Sequence, residues 1–207
     1  SSAASDVYKR QFFIRTGYVD ANPNLLRTIA VQGHQIASHT DNHIPLADSV
    51  NESGNLMASL TDAEALALRR DLVTSYQKLY KYTGDVVVNG KHSLSRMFRP
   101  PTLAVSKIGL TQVFDTGFSY SISGAYSTGD YEAVSYEDMI ERLTRRSIGG
   151  GKYVTVHNGT VMVMHMQENA KYTAQALDTM IPYWQQQGYT FARIDDYLSC
   201  LLYTSPS

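Results

Sequence analysis

The sequence predicts an α/β fold, in which short apolar strands alternate with amphipathic helices and the reactive side chains fall just past strand ends. Three observations carry this reading. Phe12-Phe13-Ile14, a helix opened by Asn22-Pro23 and the apolar pair Ile36-Ala37 follow one another closely, as in a βα repeat. The continuous apolar run Val161-Met162-Val163-Met164 suits a parallel strand buried on both faces, and it delivers His165 at its end. Finally, three of the six histidines lie between residues 34 and 43, two of them just after Ile36-Ala37, and chain segments at strand carboxyl ends are where α/β sheets place their chemistry.

Bulk properties narrow the function classes. At 207 residues the chain suits one domain with a sizeable core. With 18 basic and 19 acidic residues, it lacks the charge excess that holds nucleic acid or an anionic membrane. No apolar stretch is long enough to span a bilayer. The single cysteine, Cys200, excludes an internal disulfide and a cysteine-rich zinc site. The 15 tyrosines offer flat faces with polar tips, which can line a sugar groove or simply sit half-buried.

The elements follow in order. Phe12-Phe13-Ile14 reads as a buried strand. Asn22 supplies an N-cap and Pro23 the first helical position, with Leu25, Leu26, Ile29 and Ala30 at helical spacing until Gly33. Residues 48–60 are small and polar and read as a surface loop. Thr61-Asp62-Ala63-Glu64 is a capping box opening a long helix through about Tyr82, and Thr83-Gly84 ends it. Val86-Val87-Val88 is a short strand, with Asn89-Gly90 as a turn.

Past Phe98-Arg99-Pro100-Pro101, where two prolines fix the backbone, Val113-Phe114-Asp115 and residues 118–122 read as strands, and Ser127 to Tyr131 as a loop. Ser135 caps a helix through Arg146, with Glu137 and Asp138 at its positive end. Gly149-Gly150-Gly151 reads as a flexible break. A final helix runs through Gln187, followed by a strand from Tyr189 to Ile194.

His39 and His43 stand four apart, a spacing that puts two imidazoles on one side of a helical turn or tight loop, where a divalent cation can bridge them. Two ligands do not complete a site. His34 reads as structural, packing behind the histidine pair, and His92 and His157 lie in turn-like surroundings without a role.

Four stretches in one order resemble the polysaccharide deacetylases, also called NodB-homology domains or carbohydrate esterase family 4. They are Phe12-Phe13 with Gly17-Tyr18-Val19 and Asn22-Pro23; Gly33-His34 with His39-Thr40-Asp41-Asn42-His43; Phe98-Arg99-Pro100-Pro101; and Met164-His165 with Gly188-Tyr189-Thr190-Phe191. The resemblance implies a distorted (β/α) barrel lacking its first strand, spanning residues 12–199. It implies that His39 and His43 bind a divalent metal, zinc above cobalt or nickel. It implies that Arg99 orients a catalytic base and that His165 acts as general acid. Pro100, Pro101, Asp130, Tyr131 and Met164 are then expected to meet the substrate. Tyr131 stands where the family usually has tryptophan.

The family's opening Asp-Asp pair, which supplies the base and a third metal ligand, has no counterpart in this sequence. Residues 1–11 and 200–207 resemble translated adapter sequence at the ends of gene fragments and are set apart as non-native. The expected function is metal-dependent removal of acetyl groups from a polymeric glycan such as peptidoglycan or a chitin-like chain. This fragment is expected to be weak or inactive, acting as a monomer, with an extracellular or cell-envelope parent. The alternative is a catalytically inactive, glycan-binding member of the same fold. A zinc hydrolase of another type is disfavoured, because the sequence lacks both a His-Glu-x-x-His helix and a Gly-x-Ser-x-Gly turn.

Overall fold

The computed structural model describes residues 10–47, 59–123 and 126–196. Contacts divide the chain into two compact units, one of residues 1–123 with 191–207 and the other of residues 124–190.

The first unit carries the βα pattern. Strand β1 (Gln11–Ile14) leads through a 3-10 turn into helix α1 (Pro23–Val31), and β2 (Gln35–Ser38) follows. Helix α2 (Asp62–Thr83) then precedes a hairpin of β3 (Val87–Val88) and β4 (Lys91–His92), strand β5 (Leu94–Phe98), helix α3 (Lys107–Asp115) and β6 (Tyr120–Ser121). The sheet order is β1-β2-β5-β6, every pairing parallel. Parallel strands need crossover helices, and the apolar stripes of α1, α2 and α3 bury themselves in supplying them. One cluster joins Leu68 and Leu72 of α2 to Phe98, Val113 and Phe118; another joins Leu26, Ala30 and Ile36 to Leu79 and Val86.

Local signals explain where these elements start. Thr61 accepts from the Glu64 amide while the Glu64 carboxylate accepts from the Thr61 amide, the expected capping box. Asn89 and Gly90 both take positive φ, 51° and 74°, as a two-residue hairpin turn requires. Val113-Phe114-Asp115, expected as a strand, is the end of helix α3. Its opening signal is Ser106, whose hydroxyl accepts from the Gly109 amide. Gly109 also lets α3 lie against Leu46, because a Cβ there would stand 2.3 Å from the Leu46 carbonyl oxygen.

The second unit contains β7 (Tyr126–Ser127), helix α4 (Tyr136–Thr144), the hairpin β8 (Arg145–Gly149) and β9 (Lys152–Thr155), β10 (Met162–Val163) and helix α5 (Thr173–Gln186). Met139, Leu143, Ala176, Leu177, Met180 and Trp184 form its core, built where α4 and α5 face each other. Ser135 caps α4 as expected, but the helix stops at Thr144, and Arg145-Arg146 enter a strand. Gly149-Gly150-Gly151 makes the turn of that hairpin, all three at positive φ, where a flexible break was expected. Strand β10 pairs with β7 in parallel and is half-exposed, short of the two-sided burial its apolar run suggested. Tyr189 to Ile194 forms no strand in the structure. The surface loop expected at 48–60 lies outside the described residues up to 58.

Candidate functional site

In the first unit the histidine stretch begins where β2 ends. The His39 amide donates to the Ile14 carbonyl and the Arg99 amide to the Ser38 carbonyl, so the loop leaves the sheet between the ends of β1 and β5. His39 Nδ1–H donates to the Arg99 carbonyl oxygen at 2.7 Å. A carbonyl can only accept, so Nδ1 carries a proton, and in the neutral ring Nε2 keeps the lone pair. The His39 and His43 rings meet edge to face with centroids 5.0 Å apart. Burial, with a smaller contribution from the Arg15 charge, holds the His43 imidazole below the usual histidine range and favours its neutral form.

The loop's backbone is strained. Thr40 and His43 take φ of 65° and 60°, the left-handed region that disfavours residues with a Cβ, at roughly 1–2 kcal/mol each. A polar stripe on α2 holds it there. The Asp71 carboxylate accepts from the Asp41 amide at 2.7 Å, the Asn42 amide at 3.0 Å and the Asn42 side chain at 2.9 Å. One turn on, Ser75 shares a hydrogen bond with Ser38, whose hydroxyl also accepts from the Thr40 amide. Lys78 reaches Asp41 at 2.9 Å, and the Thr16 hydroxyl donates to the same carboxylate oxygen at 2.7 Å. Sequence reading missed Asp71, Ser75 and Lys78. Their only signal was polar residues at one-turn spacing on an otherwise apolar helix face.

Arg99 sits half-buried at the end of β5, and burial lowers its pKa. It has no carboxylate partner among the described residues. Pro100 and Pro101 are buried and set the path of the chain after Arg99.

In the second unit, His165 follows β10. Its Nδ1–H donates to Asp130 Oδ1 at 2.7 Å and its amide to Asp130 Oδ2 at 2.7 Å, and the Thr173 hydroxyl donates to Oδ2 at 2.8 Å. Burial pushes the Asp130 carboxyl up, but these hydrogen bonds outweigh it and hold the group below its ordinary value. Asp130 is wholly enclosed, and its two oxygens hold the ring and the amide of His165. Tyr131 packs edge-on against the His165 ring, centroids 5.1 Å apart, and stays exposed. Met164 is half-buried against the core of this unit.

The other three histidines lie apart from these two groups, His34 among them although it was expected to pack behind the pair. His34 accepts the Arg10 amide and meets Phe12 edge-on at the other end of β2. His92 is exposed in the β3–β4 hairpin, and His157 donates to the neighbouring Asn158 carbonyl.

A divalent cation requires neutral, oriented imidazoles, and the His39–His43 pair fits as two of its ligands. Among the described residues no set of three His, Cys, Asp or Glu could hold a metal, and the carboxylate between the two histidines, Asp41, is already engaged by Thr16 and Lys78. No helix of the described residues is long and apolar enough to cross a membrane.

The family model for polysaccharide deacetylases matches residues 5–121. The peptidoglycan-N-acetylmuramic acid deacetylase PdaA of Bacillus subtilis (strain 168) is 23% identical over 192 residues, a match covering 89% of this chain and 59% of that protein's length. A family 4 acetyl xylan esterase from Clostridium thermocellum, solved with a cobalt ion, superimposes with a TM-score of 0.65 at 20% identity, covering 93% of this chain and 78% of that one. A CE4 family pseudoenzyme from Bacillus anthracis gives 0.66 at 20% identity, covering 89% of this chain and 53% of its own. The α/β fold is thus that of the family 4 carbohydrate esterases, and with more than half its length matched by the family model, the chain belongs to the polysaccharide deacetylase family.

Proposed function

We propose that the chain carries part of the site of a metal-dependent deacetylase that removes acetyl groups from a polymeric, N-acetylglucosamine-containing glycan such as peptidoglycan or a chitin-like chain. The observation that carries this is the histidine pair: two adjacent imidazoles, His39 with its ring oriented by the Arg99 carbonyl and His43 favoured in its neutral form by burial. A zinc, cobalt or nickel ion, when bound, polarises the acetyl carbonyl and lowers the pKa of a water. A relative described as a peptidoglycan deacetylase and a fold neighbour solved with cobalt support the substrate class and the metal.

The chain's own residues then take these roles. His39 and His43 hold the cation. Arg99, a half-buried cation with no carboxylate partner among the described residues, orients the carboxylate that acts as base. His165, held through Nδ1 by Asp130, gives and takes the proton at Nε2. Tyr131 offers an exposed ring face to a sugar. A home outside the cytoplasm follows from a cell-wall substrate.

Acetate release from N-acetylated chitooligosaccharides and from peptidoglycan tests the reading. Release, however slow, should rise with added cobalt or zinc and vanish in His39→Ala. A second reading, a glycan-binding member without turnover, is favoured by the absence of a three-residue metal set among the described residues and by the pseudoenzyme neighbour. Retained binding to the same glycans with no acetate release at any metal concentration would select it.

A further inference from the structure

We propose that Asp71 of α2 is the positioning residue that fixes the separation and orientation of His39 and His43, an inference that rests on reading those two histidines as metal ligands. Asp41 and Asn42 are two of the three residues between them, and the Asp71 carboxylate accepts both of their backbone amides, at 2.7 and 3.0 Å, together with the Asn42 side chain at 2.9 Å. A carboxylate is the acceptor such a job requires. It offers two oxygens to donors fanned out from consecutive residues, and each bond is charge-assisted.

The backbone says that something must hold this segment. On either side of Asp41-Asn42 stand Thr40 and His43, both at left-handed φ without being glycine. Such conformations persist only where the surroundings over-determine them. Here the surroundings are Asp71 from one side and, from the other, the Gly17 amide donating to the Asp41 carbonyl at 2.9 Å. Asp71 is itself anchored, buried on α2 one turn before Ser75, which grips Ser38 on the strand that delivers His39. The helix thus sets the strand end and the loop against one another, and the imidazole spacing follows from that framework.

The test compares the 207-residue chain with Asp71→Asn, Asn42→Ala and Leu68→Ala. Asp71→Asn keeps the shape but replaces one acceptor oxygen with a donor facing N–H groups. Asn42→Ala removes only the side-chain bond. Leu68→Ala thins the core on the same helix without removing any hydrogen bond to the loop. Two readouts are taken at a temperature where all four are folded by circular dichroism: cobalt affinity from the broadening of histidine ring signals, and the ring nitrogen shifts of His39 and His43 without metal.

Asp71→Asn is expected to need roughly 10- to 100-fold more cobalt, the usual loss when a partner that orients metal ligands is removed, and to move both sets of ring shifts. Asn42→Ala should lose less, and Leu68→Ala should melt earlier with affinity unchanged. A folded Asp71→Asn that binds cobalt as the parent does overturns the proposal. Should the parent bind no cobalt, the ligand reading fails by itself; unchanged ring shifts in metal-free Asp71→Asn would then overturn the positioning role as well.

Discussion

The imidazole of His39 and the backbone carbonyl of Arg99 are joined by a 2.7 Å hydrogen bond between residues 60 positions apart, which ties the loop after β2 to the end of β5. In the neutral ring this bond puts the proton on Nδ1 and leaves Nε2 with its lone pair. A main-chain acceptor cannot be lost by substitution, so the tautomer is protected against change at position 99.

Arg99→Ala should therefore leave zinc binding within about threefold of the parent while removing the cation proposed to orient the base, whereas His39→Ala or His43→Ala should weaken it by more than the roughly 10- to 100-fold typical of supporting partners. Calorimetric titration of the three variants checks this. Equal losses in all three would contradict the separation of backbone and side-chain roles.

Gly17 stands where a Cβ would lie 2.7 Å from the Asp41 carbonyl oxygen. Its φ is not in the left-handed region, so the demand for glycine comes from the close approach alone. Gly17→Ala should displace the Asp41 carbonyl, lower the melting temperature by several degrees, an effect of about 1–2 kcal/mol, and weaken metal binding with it. Normal binding in a merely destabilised Gly17→Ala would show that the loop tolerates movement on that side.

Asp130 yields a pH prediction. Its folded pKa lies below the ordinary 3.8, so the group contributes stability that is fully present above that value and is lost as pH falls through the lower, folded one. Asp130→Asn should cost about 1–3 kcal/mol at neutral pH, because its amide group faces donors from His165 and Thr173. That difference should shrink on acidification below about pH 4. Urea unfolding of both proteins between pH 7 and pH 2 decides it, and a gap constant across the range would refute the assignment.

Phe98 immediately precedes Arg99, is fully buried, and packs against Phe118 with ring centroids 5.6 Å apart. Phe98→Ala should cost about 3–5 kcal/mol. Phe98→Leu should cost much less, and recovery of metal binding in Phe98→Leu but not Phe98→Ala would link this part of the core to the geometry of the loop.

The sequence announced what depends on neighbours in the chain. The Thr61–Glu64 box, Pro23 at the start of α1, Asn89-Gly90 and the Ser135 cap all act over a few residues and all appear. Val113-Phe114-Asp115 looked like a strand because three residues are too few to display a helical period; Val113 is buried and Phe114 outward, and the Ser106 cap was the better signal. Gly149-Gly150-Gly151 could be read as slack or as a turn, and only the pairing of Arg146 with Val154 decides between them. The histidines could be picked out by spacing and by the family pattern. Asp71 could not, because its partners lie 29 and 30 residues away and no local rule connects them.

The histidine loop draws on Thr16, Asp71, Lys78 and Arg99, and three of these four lie carboxyl-terminal to it. During vectorial synthesis His39 and His43 therefore emerge from the ribosome well before the carboxylate and the carbonyl that shape them. Until α2 and the end of β5 have followed, the two imidazoles belong to an unstrained, freely moving segment. On the proposed ligand role, a defined cation site would therefore form late in the making of this unit.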